Sequence, residues 1–264
     1  MQPLTLSLIQ SELCWHDCEA NLKLFSQRLE QVPDNTDLVL LPEMFSTGFT
    51  MASEEVAQSM QGEAVTWLRD KAVALQKYIC ASVVVHDAGR YFNRFVCADP
   101  DGALRSYDKR HLFRMADEHQ HYSAGQDRLI FEVKGWRVLA SVCYDLRFPV
   151  WLRNTNDYDL MVCVANWPAA RQSAWNTLLR ARSIENQTFV AGVNRVGTDG
   201  NGIVYAGGSG IYAPDGEVLS ERMEVADIIS ATLNPATLSS LRASFPVWQD
   251  ADSFKLDGPR DQKN

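Results

Sequence analysis

Three residues of chemically active type stand at similar places along the chain. Glu43 follows the apolar run Leu38-Val-Leu-Leu-Pro42, Lys109 follows Leu104-Arg-Ser-Tyr-Asp108, and Cys143 follows Val138-Leu-Ala-Ser-Val142. Each run has the pattern of a β-strand, and strand ends are where an α/β sheet presents side chains to a ligand crevice. A thiol, a carboxylate and an ammonium brought together supply a nucleophile, a base and an electrostatic stabiliser, the set that acyl transfer requires. Taken singly, each has a plain structural reading. Glu43 can cap a helix, Lys109 can be a solvated charge, and Cys143 can be one more buried thiol.

The stretch 109–127 is polar, has no clear period and is longer than most connections inside a compact domain, which marks it as a functional loop. It carries His111, His119 and His121. A His beside a Cys activates it, and two His at i and i+2 can share one face toward a metal. The loop lacks a set of three or four ligands, so no metal is expected. Cys14 and Cys18 flank His16 as C-x-x-x-C, without a second pair at zinc-site spacing.

The elements that must position these groups alternate between strand and helix. Leu4 to Gln10 alternates like a strand, Leu22, Phe25, Leu29 and Val32 repeat at helical spacing, and residues 37–42 form a buried strand, a β-α-β opening. An apolar stripe predicts a second helix over 63–78, followed by strands at 79–85, 91–98 and 103–108. Further strands are predicted at 128–133, 136–143, 159–164, 188–195, 207–213 and 226–233, with a helix over 171–187. With no repeat and no Pro- or Ser-rich linker, the 264 residues read as a single domain with layered α/β architecture, residues 255–264 being polar and expected to fray.

Composition removes other classes. The 25 Lys and Arg against 33 Asp and Glu give a net charge of -8, and no basic cluster exceeds Lys109-Arg110, so a nucleic-acid partner is not expected. No apolar stretch approaches the roughly 20 residues that span a bilayer, and the N-terminus lacks a signal-peptide pattern, so a soluble cytoplasmic protein with no membrane partner is expected. The six cysteines are spread out, mostly in strand-like runs, as small core residues of a reducing compartment.

Leu41-Pro-Glu-Met-Phe45, Tyr107-Asp-Lys-Arg-His-Leu-Phe113 and Val142-Cys-Tyr-Asp-Leu-Arg-Phe-Pro149 resemble, in order, the three signature segments of the nitrilase superfamily of carbon-nitrogen hydrolases. Ala165-Asn-Trp-Pro168, Ala181-Arg-Ser-Ile-Glu-Asn-Gln187, Asn194-Arg-Val-Gly197, and Gly208-Ser209 followed by Pro214-Asp-Gly216, agree with it. The Tyr-Asp-Leu-Arg after Cys143 is similar to the amidase branch, where true nitrilases carry Trp-Glu. The segment 109–118 with Val164-Ala-Asn-Trp-Pro168 is most similar to bacterial omega-amidases acting on 2-oxoglutaramate. One departure is Gly207-Gly208-Ser209, where relatives commonly place a charged residue or His before the serine.

The resemblance implies a four-layer α-β-β-α sandwich that forms a homodimer, with the tail from about 245 at the interface. It implies Cys143 as nucleophile, Glu43 as base, Lys109 and the backbone N–H of Tyr144 as oxyanion donors, Glu118 as a second carboxylate orienting Lys109 or water, and no cofactor. His111 is implied to pack or bond beside the lysine, and Glu185 and Asn186 to support the site. A dicarboxylic monoamide needs a cation for its far carboxylate, for which Arg114 and Arg171 are candidates, Arg147 being assigned to structure with Asp145. Phe45, Phe113, Tyr144, Trp167 and Trp175 are candidate walls for the small-molecule amide, with packing as the alternative for each. The competing readings are an N-carbamoyl amide hydrolase of the same superfamily and a catalytically silent binding protein.

Overall fold

Residues 1–256 are described by the computed structural model, so most of the segment expected to fray, 257–264, lies outside the described residues. The chain opens with β1 (Leu4–Gln10), α1 (Cys18–Leu29) and β2 (Leu38–Leu40). The helix begins before the apolar repeat because Asp17 caps it, its carboxylate accepting from Ala20 N at 2.9 Å. The short α2 (Ser53–Val56) precedes α3 (Glu63–Leu75), which stops short of residue 78 because Gln76 turns left-handed and Tyr78 already pairs with Leu38.

β3 (Tyr78–Asp87), β4 (Arg90–Ala98) and β5 (Leu104–Asp108) complete the first half up to the long loop, which carries α4 (Glu118–His121). The second half runs β6 (Ile130–Val133), β7 (Trp136–Val142), β8 (Leu160–Val164), α5 (Gln172–Asn186), β9 (Phe189–Val193), β10 (Val196–Thr198), β11 (Val204–Tyr212), β12 (Val218–Met223), β13 (Asp227–Leu233) and α6 (Pro235–Ser244).

Two sheets result, one of six strands in the order β13-β1-β2-β3-β4-β5 and one of seven in the order β10-β11-β9-β8-β7-β6, with β12 paired to β11. β1, β2 and β3 are parallel, as are β7, β8 and β9, and antiparallel strands flank each trio. Leu4, Leu6, Leu8 and Leu40 of the first sheet share one core with Val138, Ala140 and Val162 of the second. Phe25 and Leu29 of α1 and Leu68 and Ala72 of α3 cover the outer face of the first sheet over Val39, Ile79 and Val83. Trp175 and Leu179 of α5 cover the second, giving a four-layer α-β-β-α sandwich.

β12 and α6 were not anticipated. β12 is largely exposed and so carries no apolar alternation, and α6 buries only Leu238, its start set by the Asn234 cap and Pro235. The Gly207-Gly208 departure sits at a register shift in β11 where both residues have positive φ, 67° and 78°. The φ of 78° at Gly208 suits glycine and strains any other residue, and a Cβ there would have to displace the Gln172 amide. Among the described residues no helix is long and apolar enough to cross a membrane.

Candidate active site

Both sheets aim the C-terminal ends of their parallel strands at one place. Glu43 lies just past β2, where Met44 adopts φ 44° and its N–H donates to Ser82 Oγ at 2.8 Å. Lys109 is the first residue after β5. The loop that follows is cinched at its base, because Gly125 N–H donates to the Lys109 carbonyl at 3.0 Å. Any Cβ at 125 would collide with the Asp108 carbonyl. Glu118 heads α4, and its Oε2 accepts from Phe113 N at 2.6 Å.

Cys143 follows β7 on a turn where its φ is 45°, a strained conformation for a non-glycine residue. Asp145 braces this turn, accepting from Val142 N at 3.0 Å, Tyr107 Oη at 2.8 Å and His111 N at 3.0 Å, with His111 Nδ1 at 2.8 Å. Behind it, Arg182 of α5 donates to the Leu146 carbonyl at 2.7 Å and pairs with Glu185 at 2.9 Å.

Lys109 Nζ lies 2.8 Å from Glu43 Oε1 and 3.0 Å from each oxygen of Glu118, all three side chains being fully buried. Burial alone would lower the lysine pKa, but Glu118 and Glu43 outweigh it and hold the ammonium well above its ordinary value. Burial pushes the Glu118 carboxyl up, with Lys109 opposing. Burial and then Glu43 push the Cys143 thiol well above its ordinary value against the pull of Lys109, so the resting sulfur keeps its proton.

Glu43 is fixed from the second sheet as well. Asn166, just past β8, donates its backbone N–H to Glu43 Oε2 at 2.8 Å and its Nδ2 to the Glu43 carbonyl. The Asn166 carbonyl lies 3.8 Å from Cys143 Sγ, toward which the thiol points.

The thiol and the lysine border a cavity of about 30 Å³ walled by Phe49, Phe113, Tyr144 and Trp167. It opens past Phe113, Pro168 and Arg171 into an apolar vestibule of about 550 Å³. Arg147 and Arg171 both line the inner cavity, stacked over Trp167 at 4.9 Å and over Phe113 at 5.1 Å. Among the described residues neither guanidinium has a carboxylate partner.

Several expectations are corrected. Phe45 packs edge-on against Phe25 and beside Trp67 under the helices, and Phe49 takes its place as the wall. Arg114 is exposed and borders neither cavity. Arg147 faces the cavity instead of pairing with Asp145, whose lone pairs the turn and His111 already use. Trp175 stands behind Trp167, donating to the Gly208 carbonyl at 2.7 Å. Asn186 ties α5 to Asn154, away from the cavity, and Glu185 reaches the nucleophile turn only through Arg182. His111 stacks on Phe148 at 3.7 Å. Among the described residues no group of three or more His, Cys, Asp and Glu is arranged to hold a metal.

Asn93, Ser82, Asn166 and Phe49 were given no role in advance. The signal for Asn93 was a polar residue inside an apolar strand run, Tyr91-Phe-Asn-Arg-Phe-Val96, which points to a buried hydrogen-bonding duty.

The chain belongs to the carbon-nitrogen hydrolase family, whose profile it matches over residues 5–243. It is 50% identical over 258 residues to the omega-amidase YafV of Escherichia coli (strain K12), spanning 97% of this chain and all of that protein. It is 34% identical over 251 residues to the 2-oxoglutaramate amidase of Bacillus subtilis (strain 168), spanning 93% of this chain and 96% of that one. The solved structure of XC1258 from Xanthomonas campestris, a superfamily member with an arsenic adduct in its active site, shares 46% identity. It superposes with a TM-score of 0.95 over 97% of this chain and all of that chain.

Proposed function

We propose that this enzyme is an omega-amidase, hydrolysing the terminal amide of 2-oxo dicarboxylic acid monoamides, 2-oxoglutaramate giving 2-oxoglutarate and ammonia. The observation that carries the reading is one cavity bordered by a strained thiol, an ammonium clamped between two carboxylates, and two arginines that have no carboxylate partner among the described residues.

The chemistry follows from the groups. Glu43 takes the thiol proton as Cys143 Sγ attacks the amide carbonyl, and the oxyanion forms beside Lys109 Nζ and the backbone N–H of Tyr144. Glu43 returns the proton to nitrogen, ammonia leaves, and a thioester remains on Cys143. Glu43 then activates water, which releases the acid and the free thiol. Glu118 holds Lys109 through the cycle. Ammonia release from 2-oxoglutaramate tests the reading. Preference for an N-carbamoyl amino acid, with carbon dioxide released, would replace it by the carbamoyl-hydrolase alternative, and no turnover of any amide would favour a silent binding protein.

Arg147 is assigned the distal carboxylate, with Arg171 at the neck beside it. Charge-assisted hydrogen bonds contribute about 1.5–3 kcal/mol. Arg147→Met is therefore expected to raise KM for 2-oxoglutaramate about 10- to 100-fold while leaving an uncharged amide such as valeramide nearly unaffected. Equal effects on both substrates would remove Arg147 from this role.

The homodimer that the resemblance implies is supported by exposed Phe245, Trp248 and Phe254 on the C-terminal segment, beside a groove of about 420 Å³ bordered by Val150 and Val247. Sedimentation equilibrium is expected to return twice the chain mass, and a monomer at micromolar concentration would refute it. Six free thiols suit the reducing conditions of a cytoplasm, where we place the enzyme.

A further inference from the structure

Asn93 lies on β4 with its side chain fully buried beneath the carboxylate cluster. Its Nδ2 donates to Glu43 Oε1 at 2.7 Å and to Glu118 Oε1 at 3.2 Å. Lys109 Nζ donates to the same two oxygens, at 2.8 Å and 3.0 Å. Two nitrogens and two oxygens thus form a closed ring in which each donor bridges both acceptors. The orientation of the Asn93 amide is not free. Ser82 Oγ donates to Asn93 Oδ1 at 2.8 Å while accepting from Met44 N at 2.8 Å, so the amide is held with its NH₂ toward the carboxylates.

The ring holds two carboxyl groups and one ammonium, all with fully buried side chains, so carboxylate charge outnumbers the cation that faces it. The backbone N–H groups of Asn166 and Phe113 each serve one carboxylate, and Asn93 is the neutral side chain that donates to both. The other titratable groups facing the ring are Cys143 on the nucleophile turn, Cys163 on β8, Tyr122 after α4 and Tyr205 on β11, none of them a cation.

We propose that Asn93 is a positioning residue of the hydrolysis, closing the ring so that the Glu43 carboxylate is held in one orientation while it serves as base, with Ser82 coupling the ring to the turn that carries Glu43. The proposal rests on the reading of Glu43 as base. Donors to a carboxylate favour its charged form, so removing one raises the pH needed to ionise it.

The test compares Asn93→Ala, Asn93→Asp and Ser82→Ala with the native enzyme by two readouts. One is the pH profile of kcat/KM for 2-oxoglutaramate. The other is the pH profile of Cys143 alkylation by iodoacetamide, which needs no substrate and so survives a wrong substrate assignment. Asn93→Ala is expected to lower kcat about 10- to 100-fold with KM unchanged and to move the acid side of both profiles up by about one pH unit. Asn93→Asp puts a third carboxyl group in the ring and is expected to shift them further. Ser82→Ala keeps every donor to Glu43 and is expected to move them the same way by less, so it decides the matter if the Asn93 variants fail to fold. Profiles unmoved in all folded variants, with rates falling uniformly across pH, would assign Asn93 to packing and overturn the proposal.

Discussion

Cys143→Ala is expected to release no ammonia from 2-oxoglutaramate, a fall of more than about 10⁴-fold in kcat, because Cys143 carries the only thiol that borders the inner cavity among the described residues and the Lys109 amine beside it is held as an ammonium by Glu118 and Glu43. Cys143→Ser is expected to be nearly as inert. Burial and Glu43 already hold the proton on the native thiol, and a hydroxyl in the same place would hold it more tightly. Arg147 and Arg171 remain in both variants, so the product 2-oxoglutarate is expected to bind Cys143→Ala with native affinity in calorimetry. That separates loss of chemistry from loss of the site. Because the thiol is deprotonated only as it attacks, the native profile of kcat/KM is expected to show no thiol limb between about pH 6 and 9, its acid side following the carboxylate cluster. Turnover surviving in Cys143→Ala would exclude the thioester route.

Glu43 and Cys143 each follow an apolar strand run and Lys109 follows the more polar Leu104-Arg-Ser-Tyr-Asp108, placements that suggest a site, but it is the resemblance of the three surrounding segments that singles these residues out in the sequence. The partners of those residues were not visible. Asn93 meets Glu43 from 50 positions away and Asn166 from 123, and such contacts are set by sheet register and by the packing of one sheet on the other. Phe45 and Phe49 show the same limit on a smaller scale. Both are aromatic and both follow Glu43, but the left-handed turn at Met44 sends Phe45 under the helices, whereas Phe49 borders the cavity. Arg147 was misread because it stands two residues from an acidic partner in sequence, while Asp145 is consumed by backbone donors, Tyr107 and His111. The edge elements β12 and α6 escaped for a different reason: they bury little and so carry no hydrophobic period.

Lys109→Met is expected to damage stability and activity together, with a pH signature that tells the two apart. The ammonium is the only cation among the partners of Glu43 and Glu118 at hydrogen-bond distance in the described residues. Removing it leaves two buried carboxylates facing each other, and stranding a buried charge costs about 3–5 kcal/mol. The cluster escapes that cost by taking up a proton, so removing the ammonium raises the titration of the carboxyl pair in the folded variant above the unfolded value of about 4.3. A carboxyl whose folded pKa is raised contributes stability that is full below the unfolded value and lost as pH rises through the folded one. The native Glu118 carboxyl is already shifted in that direction. The urea midpoint of Lys109→Met is therefore expected to fall well below native at pH 8 and to approach it near pH 5. Adding Glu118→Gln removes one of the two charges and is expected to restore much of the midpoint at pH 8. It does not restore turnover, because the oxyanion still lacks the Lys109 donor and keeps only the Tyr144 N–H, a loss of about 10²- to 10³-fold in kcat. A midpoint deficit that stays flat from pH 5 to pH 8 would mean that the lysine contributes packing alone and that the carboxylates do not depend on its charge.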